Sequence, residues 1–357
     1  MKSQVIQGNN ADVLRTFPDN HFDSIVTDPP YGIDFLGKAW DATTGALETY
    51  QECLRVLKPG GHILAFSAAR TYHHLAVTIE QAGFEIRDQI MWIYSSGFPK
   101  SQDISGSIKR SKHLDKSQAE QWSGWGTQLK PAHEPICLAR KPIKLSIAGN
   151  CQQWGVGALN IDATRIAATD LKPGVMGTTA HDNYNAEKNA EVGLREGEQL
   201  DWTPSDLGRF PSNVVGEIAE PYQKYFYCPK VGRAERHIGY EMPPPMFGNS
   251  KGAYDDNGER YAVGLDARTD ANKGNNHPTV KPIDLMKYLI RLVTPAGGRV
   301  LDPFNGSGST GCAAVELDYD YTGIELDPAY VAIAERRIAA WYQSTHDTTF
   351  TQLFTDA

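Results

Sequence analysis

The sequence predicts an α/β fold: a mostly parallel sheet built from both ends of the chain, with a loop-rich insertion between the halves. Three observations predict it. Strand-length apolar runs alternate with runs of helical spacing over residues 1–147, the βαβα rhythm of parallel sheets. The rhythm returns over 277–357, where a strand, a glycine turn and a helix start follow one another. Between them, 148–276 is rich in Gly, Pro, Asn and Asp with few periodic stretches. Its interleaved aromatics, among them Trp154, Trp202, Phe210 and Tyr261, exceed what a solvated linker needs, so this segment reads as an insertion with a small core.

The elements follow in order. Residues 23–27 read as a buried strand stopped by Asp28-Pro29-Pro30, and 49–57 as a helix stopped by Lys58-Pro59-Gly60-Gly61. A strand at 62–66, a helix at 70–82 and a strand at 86–93 complete the first half. In the last part the pattern predicts a helix at 283–292, a strand at 299–302, a helix from Ser309, a strand at 321–325 and a helix at 328–341.

Composition narrows the function classes. The 357 residues are 40% hydrophobic and 22% charged, a folding composition, and the most apolar stretches (62–69 and 288–294) fall short of the roughly 18 residues of a membrane span. The amino-terminal residues show no hydrophobic signal region, and the five cysteines lack metal-ligand spacing, so the chain reads as a reduced, cytoplasmic protein without structural zinc. The net charge of −8 argues against nucleic acid on average, but 100–144 carries nine Lys/Arg against four Asp/Glu. Alone, that stretch reads first as a solvated loop face.

The glycine turn admits more than one reading. Asp302-Pro303-Phe304-Asn305-Gly306-Ser307-Gly308-Ser309-Thr310-Gly311 contains G-x-G-x-x-G, and Glu325 follows Gly306 by 19 residues at the end of the next strand. This fits a dinucleotide fingerprint, with NAD chemistry as a rival, and it also fits a plain structural turn. Asp302 tips the balance, because a carboxylate at the carboxyl end of its strand repels a pyrophosphate but pairs with a ligand ammonium. The amino-acid end of S-adenosylmethionine carries such a group. Its carboxylate would sit by the helix start and the Ser/Thr hydroxyls, with Glu325 on the ribose.

Asp28-Pro29-Pro30-Tyr31 closes a strand, and its bland reading is a rigid proline turn. Its chemical reading starts from the aromatic amino group, whose nitrogen lone pair is delocalised into the ring. The Asp28 carboxylate and the Pro29 carbonyl can each accept an N–H and draw that nitrogen toward tetrahedral geometry, while Tyr31 offers a stacking face. A duplex base reaches such a pocket only by flipping out. Cytosine C5 chemistry, by contrast, wants a thiolate after a proline, and no Pro-Cys pair exists.

Read together, these two motifs resemble the amino-methylating DNA methyltransferases, in the order of their β group. His277-Pro278-Thr279-Val280-Lys281-Pro282 is similar to the segment these enzymes place before the cofactor loop, and Gly8-Asn9-Asn10-Ala11-Asp12 to the one that contacts the cofactor's adenine, with Asn9 where many members have Asp. Stretches such as Gly124-Trp125-Gly126-Thr127, Arg209-Phe210-Pro211-Ser212-Asn213 and Tyr227-Cys228-Pro229-Lys230 are similar to a subgroup often met in phages and prophages.

The resemblance implies a Rossmann-like S-adenosylmethionine-dependent fold: a catalytic half at 1–147, a target-recognition insertion at 148–276 and a cofactor half at 277–357. It implies Asp28, Pro29, Pro30 and Tyr31 as catalytic residues. Asn9, Asn10, Asp28, His277, Thr279, Lys281, Asp302, Phe304, Gly306, Ser307, Gly308, Ser309, Thr310 and Glu325 would bind the cofactor. Double-stranded DNA is the expected partner, and Arg209, Asn213, Lys230, Arg233 and Arg236 are candidates for base edges or phosphates. The basic stretch, with Lys109, Arg110 and Lys130, becomes a phosphate-contacting surface. Asp-Pro-Pro-Tyr usually goes with N6-adenine, leaving N4-cytosine as the alternative and a catalytically silent DNA-binding module as the reading from another class. Ser67 and Trp40 read first as a core and a loop residue, and second as a border of the base pocket. A homodimer and a cognate restriction endonuclease rest on the resemblance alone.

Overall fold

The computed structural model describes residues 2–33, 43–94, 101–168, 174–177, 199–202, 206–216, 233–240, 275, 277 and 279–346. Trp40, Lys230 and all of 241–274, with the 243–245 proline run, lie outside them. In chain order the first half supplies β1 (Ser3–Gln7), α1 (Asn10–Arg15), β2 (Phe22–Thr27), α2 (Leu47–Val56), β3 (Leu57–Phe66), α3 (Tyr72–Gln81), β4 (Glu85–Ile93), α4 (Ile104–Arg110) and β5 (His133–Arg140). Next come α5 (Ile147–Trp154), β6 (Gly174–Gly177), β7 (Gln199–Trp202), β8 (Val214–Gly216) and α6 (Arg233–His237). The last part holds α7 (Ile283–Val293), β9 (Arg299–Asp302), α8 (Ser309–Glu316), β10 (Asp320–Glu325) and α9 (Pro328–His346).

Eight strands form one sheet in the order β1-β10-β9-β2-β3-β5-β4-β8, and β6 pairs with β7 apart from it. Every pairing in the large sheet is parallel except those of β5, which runs antiparallel to both neighbours. Both faces are covered, and the period-2 alternation of the strands sorts their side chains between two cores. Val26, Leu64, Phe66, Ile136, Leu138 and Val300 face α7 and α8, whereas Ile25, Ile63, Ala65, Cys137, Ala139 and Leu301 face the layer of α1, α2 and α3. That sorting explains why the strands read as unbroken apolar runs. The halves meet where β2 lies against β9, with Ser24 opposite Val300 and Ile25 opposite Leu301.

Three elements differ from expectation. Lys58-Pro59-Gly60-Gly61 ends α2 but does not separate it from the next strand. β3 already pairs at Leu57 with Phe22, and the register shift before His62 absorbs the four residues, with Gly60 at a φ of +81°. β5 falls inside the basic stretch, where a charge count hides the run Pro135-Ile136-Cys137-Leu138-Ala139. The described parts of the insertion do not form a core of their own: β8 extends the main sheet beside β4, and Val215 is buried in the core facing α7.

Candidate active site

Parallel register brings three carboxylates to one edge of the sheet. β2 ends at Thr27 and delivers Asp28, β9 ends at Asp302, and β10 ends at Glu325. Above these ends lies a cavity of about 1450 Å³, lined by Asn9, Asn10, Asp28 to Tyr31, Thr279, Lys281, Asp302 to Ser307, Ser309, Thr310 and Glu325, with His277 beside them. Sequence positions from both ends of the chain thus share one space, as the crevice rule for open α/β sheets requires.

Asp302 is 2% exposed. Thr27 Oγ1 donates to its Oδ1 at 2.7 Å, the Phe304 N–H to the same oxygen at 3.1 Å, and Thr310 Oγ1 to Oδ2 at 2.6 Å. Burial nevertheless dominates and pushes the carboxyl up to about 6, against the pull of those three donors. A bound cation would hold it ionised. Glu325 accepts the Gly306 N–H at 2.8 Å and the Asp327 N–H at 2.9 Å, and burial raises it above the usual carboxylate range.

The three glycines of the turn have separate tasks. A Cβ on Gly306, at a φ of +50°, would lie 2.8 Å from His277 Nε2, so this glycine permits the turn to close on the His277 segment. Gly308, at a φ of +77°, lets the turn close on α9, where an added Cβ would lie 3.1 Å from both Ala334 and Ile338. Gly311 is pressed against Tyr321 and Ile338. Arg337, fully buried in α9, donates to the Ser307 carbonyl at 2.6 Å and to Ser307 Oγ at 3.1 Å, pinning the turn from behind.

At the other end, Asn9 caps α1 by accepting from the N–H groups of Ala11 and Asp12. Asn10 ties α1 to both neighbours, donating to the Pro303 carbonyl at 3.3 Å and accepting from Thr49 Oγ1 at 2.8 Å. Phe304 packs on Tyr50 with ring centroids 6.2 Å apart. The His277 ring lies edge-on to Tyr330, and its Nδ1 is 3.0 Å from the Thr279 carbonyl. Burial pushes His277 down to about 4, which leaves it neutral at pH 7.

Asp28 is bound on both oxygens. Tyr31 Oη donates to Oδ1 at 2.8 Å, and the Lys281 ammonium to Oδ2 at 2.6 Å. Lys281, 4% exposed, also lies 3.0 Å from Tyr31 Oη and 3.4 Å from Glu134 Oε2. Burial pulls its pKa down, but Asp28 and Glu134 together outweigh that and hold it above the ordinary lysine value. Lys281 therefore reaches the Asp-Pro-Pro-Tyr turn as well as the cavity wall. Glu134, at the start of β5, was missed by motif reading because it counts as one acid in a basic stretch; an acid inside an apolar strand is the signal that marks it.

The DNA candidates scatter. Lys130 lines the cavity and Lys109 is paired with Glu120 at 2.6 Å, while Arg110 is exposed on α4. Within the basic stretch, Arg140 and Lys141 are corrected to structural residues: Arg140 is buried against Glu85, and Lys141 donates to the Leu57 carbonyl at 2.7 Å. Arg209 pairs through its backbone with Ile166, and Asn213 donates to Asp88. Arg236 turns inward and donates to the His277 carbonyl at 3.2 Å, so a base-reading role is replaced by support of the His277 segment. Arg233 opens α6. Ser67 is fully buried off the cavity, as its core reading has it. Among the described residues, no helix is long and apolar enough to cross a membrane.

Comparison with known proteins adds an independent line. A family model described as DNA methylase, covering N6 and N4 enzymes, matches residues 22–336. The chain is 24% identical to the type II methyltransferase M.HindIII of Haemophilus influenzae, over 91% of each chain. It is 23% identical to the type II methyltransferase M.HpaI of Haemophilus parainfluenzae, over 95% of this chain and 74% of that one. Among solved structures it is similar to M1.HpyAVI in complex with SAM, at 17% identity and a TM-score of 0.42, covering 94% of this chain and 98% of that one. It is also similar to the PvuII DNA methyltransferase (cytosine-N4-specific), at 14% identity and a TM-score of 0.47, covering 97% and 93%.

Proposed function

The chain belongs to the N6/N4 DNA methylase family, and from that premise we propose that it transfers a methyl group from S-adenosylmethionine to the N6 amino group of adenine in double-stranded DNA. The observation that carries this reading is the shared cavity: Asp28 and Asp302, from opposite ends of the chain, stand at the ends of adjoining parallel strands on its wall.

The residues present fit a cationic cofactor. Asp28, Asp302 and Glu325 give the wall an acidic character, the Gly306 turn admits close approach of a ligand, and Phe304 and Ile324 supply apolar surface for an adenine. Asn9 and Asn10 would meet that adenine, Glu325 the ribose, and Asp302 the ammonium group, while His277, Thr279, Ser307, Ser309 and Thr310 surround the methionine end. When bound, the cofactor supplies an electrophilic methyl on a sulfonium.

The chain's own residues prepare the nucleophile. Asp28 and the Pro29 carbonyl accept the two amino hydrogens of a flipped base and aim the nitrogen lone pair, and Asp28 accepts a proton once the nitrogen has gained its fourth bond. The prolines hold the carbonyl in place, and Tyr31 borders the base. Aspartate at the first position of the turn favours adenine. The insertion at 148–276 and Lys130 at the cavity supply DNA contacts in this reading.

Incubation of the protein with unmethylated bacterial DNA and S-adenosylmethionine, followed by nucleoside mass spectrometry, tests the proposal. N6-methyladenine that disappears with Asp28→Ala is the expected result. N4-methylcytosine would overturn the base assignment while keeping the mechanism.

A further inference from the structure

Tyr31 has one hydroxyl proton and two carboxylates to give it to. Its Oη lies 2.8 Å from Asp28 Oδ1 and equally 2.8 Å from Glu134 Oε2. The Lys281 ammonium, 3.0 Å away, occupies a lone pair of the same oxygen, so Oη accepts from one side and must choose between two acceptors on the other. Lys281 in turn spans both acids, at 2.6 Å from Asp28 and 3.4 Å from Glu134. Tyr94 Oη approaches the remaining oxygen of Glu134 at 3.4 Å.

The choice matters for Asp28. An acceptor oxygen that already takes a hydroxyl proton and whose partner oxygen takes an ammonium has less electron density to offer a weakly acidic amino N–H. Rotating the Tyr31 hydroxyl toward Glu134 needs no movement of heavy atoms, because both acceptors already stand at hydrogen-bond distance. We propose that Glu134 is a positioning residue for methyl transfer: it takes the Tyr31 hydroxyl bond when the target amino group arrives, leaving Oδ1 of Asp28 for that group. This rests on the function proposed above. Glu134 does not touch the base; it acts through Tyr31.

The test is a double-mutant cycle with a spectroscopic arm. Glu134→Leu removes the alternative acceptor and lowers kcat about tenfold while leaving the KM for cofactor and DNA unchanged, whereas Glu134→Gln keeps an acceptor oxygen and falls much less. In a Tyr31→Phe background, with no hydroxyl proton to redirect, Glu134→Leu lowers kcat by less than about twofold. Equal losses in both backgrounds, or a loss carried by KM, would overturn the inference and make Glu134 a packing residue. Independently of turnover, protein carrying 13Cζ-tyrosine reports the Tyr31 hydroxyl, its resonance being the one that vanishes in Tyr31→Phe. That resonance shifts in Glu134→Leu and stays close to its original position in Glu134→Gln. An unmoved resonance in Glu134→Leu sinks the proposal even in a protein that folds and methylates, and a shift alongside a wild-type protein that transfers no methyl would locate the failure in the proposed function instead.

Discussion

Thr27 and Asp302 are 275 residues apart in sequence, and the Thr27 hydroxyl donates to the Asp302 carboxylate at 2.7 Å in a fully enclosed position. One residue precedes the Asp-Pro-Pro-Tyr turn and the other opens the glycine turn. Together with the pairing of β2 with β9, this buried hydrogen bond couples the placement of the two motifs.

Asp302 sets opposite demands on stability and on ligand binding. Its pKa in the fold, about 6, exceeds the unperturbed carboxylate value, so the fold binds this proton more tightly than the unfolded chain does. Its contribution to stability is full below about pH 4 and is lost as pH rises through about 6, amounting to about 3 kcal/mol by linkage. Asp302→Asn is expected to raise the melting temperature of the ligand-free protein at pH 7.5 and to weaken S-adenosylmethionine binding, both readable by thermal denaturation and calorimetry. Wild-type affinity should fall below pH 6. A flat affinity profile from pH 5 to 8 would separate Asp302 from the ligand.

Lys281 is the cation between two acids. Lys281→Met leaves Asp28 and Glu134 facing each other without it and is expected to cost about 3–5 kcal/mol in urea denaturation, the penalty of breaking a buried ion pair from one side. Asp28→Ala keeps Glu134 as a partner for Lys281, so its expected signature is different: loss of methylation on the order of 10²–10³-fold with a smaller change in the urea midpoint than Lys281→Met.

The glycines of the turn are expected to separate by phenotype. Gly306→Ala drives a methyl into His277 at the cavity wall and should weaken cofactor binding with a modest change in stability. Gly311→Ala overpacks Tyr321 and Ile338 and should cost about 1–3 kcal/mol of stability, with affinity unchanged for the folded fraction. Paired measurements of melting temperature and cofactor Kd distinguish them, and identical behaviour of the two variants would refute the division of tasks.

For a chain with a net charge of −8, DNA binding must rely on local fields. The dissociation constant for duplex DNA is expected to rise steeply with salt, and Lys130→Glu at the cavity should weaken binding and flatten that dependence by about one charge. Fluorescence anisotropy across a salt series reads both.

Much of the architecture was legible because β2 and β9 are largely buried runs that end at turns of distinctive chemistry, Asp28-Pro29-Pro30-Tyr31 and Pro303-Phe304-Asn305-Gly306. Asp28 and Asp302 announced themselves through their neighbours. Glu134, Thr27 and Arg337 did not, since their significance lies in partners 30 or more residues away: Tyr31 and Lys281, Asp302, and Ser307. Arg236 misled for the same reason, an apparently exposed arginine whose hydrogen bond to the His277 carbonyl exists only in three dimensions. β5 was hidden by the charges that flank it. Local pattern reveals what a residue can do, and long-range pairing decides whether it is placed to do it.

The pairing of β1 with β10, whose Ser3 and Tyr321 stand opposite each other, and of β2 with β9, has a temporal meaning. On a ribosome, β2 emerges long before either late strand exists, and its far edge stays open throughout translation of the insertion. The reaction centre is therefore completed only late, when β9 takes its place beside β2 and β10 beside β9 and β1. A chain severed within the insertion would yield two inert fragments, each carrying one of the two acidic turns, and mixing them should restore methylation only where the strands can zip together.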